Sequence, residues 1–254
     1  MSSLLSVVQP SSPSPKPLAD GCRHVYLDFG SNIGIQFRKL YSPDEYPLAQ
    51  IRGKFDQYFG PGKREDVCAW GWEPNPRHLK SLKRLQEAYR ALGRRLTINT
   101  VAAAGALDGV GVFLSDNDVR NNDWGSKVEL LPKGVPEPDD AIQVMNVAAW
   151  ILTNVVHRRV PTDVSDSALP PSIVAKIDIE GSDENVFFAM ISNGVLCSID
   201  YIYTEAHVRS DVIKFMKVGL AAVGCPTEIE WMDDETYRNG MWKDPKRRLR
   251  LRRV

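Results

Sequence analysis

The sequence predicts an α/β domain built on a mostly parallel sheet of about seven strands. Two observations carry this. Short apolar runs alternate with helix-like segments along most of the 254 residues, the pattern of a doubly wound sheet. Several of those runs also end on acidic residues, beginning with "LDFGSNIG" (27–34), where Asp28 is followed by a turn through Gly30 and Gly34.

Taken in order, residues 1–20 hold six Ser and four Pro and read as a disordered leader. The remainder, 21–254, reads as one domain. "HVYLDF" (24–29) is the first strand and "VCAWGW" (67–72) the second, with an extra helix expected over "YPLAQIRGKFDQYFG" between them. Leu79, Leu82, Leu85, Ala88 and Tyr89 recur at helical spacing, and Gly93 is a natural stop. "LTINTVAAA" is a third strand, and "GVGVFLS" (109–115) forms a small ribbon beside the sheet. A helix over "VAAWILTNVV" precedes a fourth strand, "SIVAKIDIE" (172–180). "NVFFAMISNGV" is the next helix, "IDYIYTEAHV" the fifth strand, and "DVIKFMKVGLAAVG" the last helix. "TEIEWM" and "RRLRLRRV" are spaced to pair as an antiparallel hairpin. Segments 38–66 and 115–146 break the alternation and read as insertions.

Composition narrows the function classes. Lys plus Arg equals Asp plus Glu at 32 each, so no overall field favours nucleic acid or a membrane surface. No run approaches the ~18 apolar residues of a membrane span, and the N-terminus lacks the basic start of a secretory signal. The four cysteines, Cys22, Cys68, Cys197 and Cys225, show no metal-like spacing. They read as reduced, structural thiols of a cytoplasmic protein.

Ligands of a doubly wound sheet lie outside the carboxyl ends of its strands. Gly30 and Gly34 allow positive φ and close backbone approach there, and Ser31 or Asn32 can cap the next helix. The glycine spacing departs from GxGxxG, which disfavours a dinucleotide. Glu73, in "GWEPNP" at the second strand's end, is placed to accept two ribose hydroxyls, with Trp72 or Pro74 beside an adenine. The fourth tip brings Asp178 and Glu180, which share a face if the strand runs through them. The fifth brings Glu205 and His207. Buried charges are costly without partners, so a set of acids at successive tips points to a ligand.

"LDFGSNIG", "WEPNP", "KIDIEGSDENV" and "TEAH", in this order, resemble the FkbM-type S-adenosylmethionine-dependent methyltransferases over residues 24–210. "RKLYSPDEYP", "FDQYFG" and "NNDWGSKV" are similar to a eukaryotic subgroup related to methyltransferase-like protein 24. The resemblance implies a Rossmann-like class I sheet of seven strands, the last antiparallel, with helices on both faces. It implies methyl transfer from S-adenosyl-L-methionine, in many relatives to oxygen. Asp28, Gly30, Ser31, Asn32 and Gly34 would frame the methionine end of that cofactor, Glu73 its ribose, and Ala102 and Ala103 its adenine. The acidic residue usual at the third tip is absent, and Asn99 is a weak substitute.

A carboxylate rim also suits a sulfonium cation. The general base is expected among Glu180, His207 and Asp178, with Glu180 favoured and His207 beside it. A divalent cation held by the rim is a possible but disfavoured addition. The acceptor is expected to be a small molecule or glycan.

His24, His78 and His157 read as surface or packing residues, and Trp124 with Asp123 reads equally as acceptor pocket or packing. Residues 243–254, "KDPKRRLRLRRV", carry seven basic groups and one acid. They suit a last strand with one wet face. They would equally serve a non-catalytic methyltransferase-like module that binds an acidic partner through its tail. A nicotinamide-dependent oxidoreductase on the same sheet is the third reading.

Overall fold

A computed structural model of the chain describes residues 16–118, 122–162, 169–205 and 208–232. Residues 1–15 of the expected leader, the basic run 243–254 and His207 lie outside the described residues, whereas 16–20 are held against the fold, with Ala19 buried and Asp20 paired with Arg159.

Among the described residues the main sheet has six parallel strands where seven were expected: β1 (His24–Phe29), β2 (Cys68–Trp72), β3 (Arg95–Asn99), β8 (Ser172–Ile177), β9 (Tyr201–Thr204) and β10 (Glu228–Trp231). Their order is β10-β9-β8-β1-β2-β3. The chain winds outward from β1 to β3 and then returns to wind the other way from β8, so β1 and β8 flank the switch point. Every residue of β1, β2 and β8 is buried. This is why these stretches read as apolar runs rather than alternating ones.

Helices cover both faces. Val25, Leu27 and Phe29 point to a core shared with α4 (Val147–Ile151), α5 (Asp183–Ser192) and α6 (Ser210–Ala222). Tyr26 points the other way, to α1 (Ile35–Tyr41), α2 (Ile51–Phe59) and α3 (Leu79–Ala91). The expected extra helix is α2, whose Phe55 and Phe59 fill that second core. Gly93, at φ 79°, stops α3. A π-helical turn, Leu152–Val156, continues α4.

Three expectations are corrected. "LTINTVAAA" is not one strand: β3 stops at Asn99, whose Oδ1 accepts the Val101 and Ala102 N–H groups at 3.2 and 3.0 Å and turns the chain out of the sheet. The chain then enters a second sheet, β4 (Ala102–Gly105), β7 (Ile142–Asn146), β5 (Gly109–Leu114) and β6 (Lys127–Leu130), in the order β4-β7-β5-β6. The expected ribbon at 109–115 is thus part of a four-stranded sheet, and 115–146 supplies two of its strands rather than an irregular insertion. "TEIEWM" forms β10, but it pairs with β9 in parallel, and its expected hairpin partner lies outside the described residues.

The cysteines overturn the reduced-thiol expectation. Cys22 is bridged to Cys68 and Cys197 to Cys225, with Cα separations of 5.9 and 5.1 Å, inside the range a disulfide spans. Strand pairing brings the first pair together across β1 and β2, which sequence spacing does not reveal. No helix among the described residues is long and apolar enough to cross a membrane.

Candidate functional site

The carboxyl ends of β1, β2, β8 and β9 and one side of the second sheet enclose a cavity of about 370 Å³. Its floor is the turn after β1. Gly30 and Ser31 donate their N–H groups to Trp72 O at 3.1 and 3.0 Å, and Asp178 N–H donates to Phe29 O at 3.1 Å, so the turn is fastened on both sides. Gly30, at φ 83°, is required by contact: a Cβ there would stand 1.8 Å from Asp178 O. Gly34, at φ 77°, is required by packing, since its Cβ would meet Leu85 of α3 at 2.4 Å. Gly34 itself is the N-cap of α1, and no side chain caps that helix. The expected Ser31 or Asn32 cap is corrected accordingly: Ser31 Oγ donates to Asp28 O, and Asn32 Oδ1 accepts Ile33 N–H.

Glu73 locks the turn to the second tip. Its Oε2 accepts Asn32 N–H at 2.6 Å and its Oε1 accepts Asn75 N–H at 2.9 Å. A carboxylate has about four acceptor sites, so these two bonds leave capacity for two hydroxyl donors. His78, buried behind it, places Nδ1 3.8 Å from Oε1.

Of the expected cofactor residues, Gly30, Ser31, Asn32, Glu73 and Ala103 line the cavity, whereas Asp28, Gly34 and Ala102 do not. Asp28 is fully buried on the face of Tyr26, where the Ser31 hydroxyl and Lys176 favour its ionised form. Burial pushes its carboxyl up to about 7 against the pull of Lys176. Asn99 turns the chain with its side chain, so it is no adenine acceptor. Trp72 and Pro74 both line the cavity, Trp72 with most of its ring packed against Phe29 and Trp150.

On the far side, Asp178, Glu180 and Glu205 line the cavity together. Asp178 and Glu180 do not share a strand face, because β8 ends at Ile177. Asp183, buried at the start of α5, accepts Ile179 N–H and Gly181 N–H at 3.1 Å each and draws the chain into a turn. Glu180 consequently sits in the left-handed region at φ 50°. Sequence reasoning passed over Lys176. Its Nζ lies 2.6 Å from Asp178 Oδ2 while its side chain is 6% exposed. Burial opposes the charge on Lys176, but Asp178, Asp28 and Glu205 outweigh it, so the ammonium holds its proton more tightly than usual. The signal was present as a single basic residue inside an apolar run.

The second sheet closes the cavity with Phe113, Val128, Leu130 and Val144, beside Trp124. Asp123 is the latch of this wall: it accepts from Arg77 Nη1 at 2.6 Å, Asn75 Nδ2 at 3.3 Å and Ser115 Oγ at 3.3 Å. Burial resists its ionisation, but these bonds hold its carboxyl below the ordinary range. Asn32 Nδ2 adds a bond to Asn122 O at 3.1 Å. Among the described residues, no three His, Cys, Asp or Glu side chains converge as ligands of a metal ion.

Comparison with known proteins finds no family model, no curated protein and no solved structure that matches the chain. The family resemblance therefore rests on the four sequence motifs alone.

Proposed function

We propose that this chain is an S-adenosylmethionine-dependent methyltransferase acting on oxygen, with a small molecule or a glycan hydroxyl as acceptor. The observation that carries the reading is Glu73. It lines the cavity at the β2 tip, holds the glycine turn by one oxygen, and keeps acceptor capacity for the two hydroxyls of a ribose.

The residues present fit the cofactor. Gly30 to Asn32 offer close backbone at the β1 tip, Ala103 to Ala106 give a smooth wall beside Glu73, and the acids opposite suit a sulfonium. Bound there, S-adenosylmethionine supplies an electrophilic methyl carbon. The protein's main task is alignment of donor and acceptor, which can contribute about 7–11 kcal/mol. Asp178 pairs with Lys176 at 2.6 Å on the rim of the cavity. Glu180 is the general base. It takes the acceptor's hydroxyl proton as the oxygen–carbon bond forms, the carbon–sulfur bond breaks and the electron pair stays on sulfur.

Calorimetric titration of S-adenosylhomocysteine, with NAD as control, tests the cofactor. Micromolar binding to the wild type is expected, weakened tenfold or more by Glu73→Ala, about 1.4 kcal/mol or above. A folded wild type that does not bind it removes the proposal.

Glu180→Gln is expected to lower turnover on a hydroxyl acceptor by about 10²–10⁴-fold and to leave S-adenosylhomocysteine affinity little changed. Undiminished turnover would move the base elsewhere on the rim.

A further inference from the structure

All four cysteines are paired, and both pairs lie at the pole of the sheet away from the cavity. Cys22 precedes β1 and Cys68 opens β2, so their bridge ties the strands that carry the glycine turn and Glu73. Cys197 and Cys225 follow α5 and α6 and stand before β9 and β10. Each bridge thus clamps one flank of the sheet at the amino ends of its strands. No cysteine lines the cavity, which excludes nucleophilic or redox chemistry by these sulfurs at the site.

Core size does not account for the bridges. A chain of 254 residues buries enough of its own surface to fold without covalent staples. Nor does packing account for both. Cys22 and Cys68 are buried, but Cys197 is exposed and Cys225 only half-buried at the edge of the core, so burial does not explain the second bridge. Two complete pairs with no thiol left over are the state that persists where thiols are not continually re-reduced.

We infer that this chain folds and works in an oxidising compartment, a secretory lumen, a periplasm or the cell exterior, and draws its hydroxyl acceptor from the molecules present there. The compartment rests on the bridges alone; the acceptor pool rests also on the methyltransferase reading. It stands against the cytoplasmic expectation, whose premise of reduced cysteines the bridges remove.

The test is made on cells that carry the full chain naturally. They are quenched in acid, their free thiols are alkylated before lysis, and the chain is mapped as non-reduced peptides. All four cysteines are expected to escape the label, with peptides joined as Cys22–Cys68 and Cys197–Cys225 in the lumenal, periplasmic or secreted fraction. Labelled cysteines in the intact chain, or joined peptides recovered from the cytosolic fraction, would overturn the inference. Reduction of the purified chain is expected to lower its melting temperature by roughly 10 °C or more, and an unchanged melt counts against it. S-adenosylhomocysteine titration of the same oxidised sample reports on the methyltransferase reading separately, so either can fail without the other.

Discussion

Gly30→Ala is expected to cost about 4 kcal/mol or more, enough to leave little folded protein at ambient temperature. Two penalties add. The backbone at φ 83° costs a side-chain-bearing residue about 1–2 kcal/mol. The new Cβ would also stand 1.8 Å from Asp178 O, a backbone atom with no rotamer to escape into. Asp178 is fixed in turn by its N–H bond to Phe29 O and by Lys176. Relief would have to open β1 from β8, across the switch point itself. Gly181→Ala is the control, because Gly181 has φ 92° but nothing within 4 Å of its Cβ. Denaturant titration of the two variants separates backbone strain from collision. Equal losses would show that the turn and the β8 tip are not in firm contact.

Lys176→Met is expected to destabilise the protein by about 3–5 kcal/mol at neutral pH, the usual cost of removing one member of a buried charged group. Methionine replaces the aliphatic stem, so the loss reports the ammonium. Without it, Asp178 loses its ion-pair partner, and Asp28 has no cation to offset its burial. The sign of the pH dependence follows. Asp28 has its folded value raised to about 7, so its contribution is fully present below the unfolded carboxylate value. It is lost as pH rises towards 7. Up to about pH 7 both proteins lose it alike; above that value the variant, without the pull of Lys176 on Asp28, goes on losing stability. Its deficit should therefore be level below about pH 7 and widen towards pH 8 and beyond. His24 works the other way: burial, with Arg23, Arg158 and Lys63 nearby, holds its imidazole down to about 4, so its contribution is lost as pH falls from the unfolded value towards 4. Present in both proteins, it cancels from the difference. Paired urea melts across that range check this, and a deficit independent of pH would place the effect in packing rather than charge.

How much of this was legible in sequence depended on how local the cause was. β1, β2 and α3 could be read because burial on both faces or along one stripe writes itself into consecutive residues. Glu73 could be read because it stands where a strand run ends and a helix pattern begins. The departure of the chain at Asn99 could not. "LTINTVAAA" is apolar and small throughout, and the turn is made by one side-chain oxygen accepting two N–H groups. The same holds at the fourth tip, where "KIDIE" reads as continuous strand and Asp183, three residues beyond Glu180, bends it. The cysteine pairs, and the approach of Asp28 and Glu205 to Lys176, needed the strand order, since these partners are neighbours in the sheet and not in the chain. His207, expected beside Glu180, lies outside the described residues.

The way the second sheet is attached has a consequence for inheritance. The chain leaves the main sheet after β3 and returns through β7 directly into α4, and β4 and β7 run side by side in parallel. The connection between them crosses from the end of β4 back to the start of β7 and carries β5 and β6, outside the main sheet. Such a stretch can lengthen, shorten or be exchanged without changing the order of a single strand beneath it. Under the proposed function, the half of the cavity that meets the acceptor is free to diversify, while the half built from Gly30 and Glu73 is bound into the frame of the domain. Descendants of this chain would then share a donor and differ in what they modify.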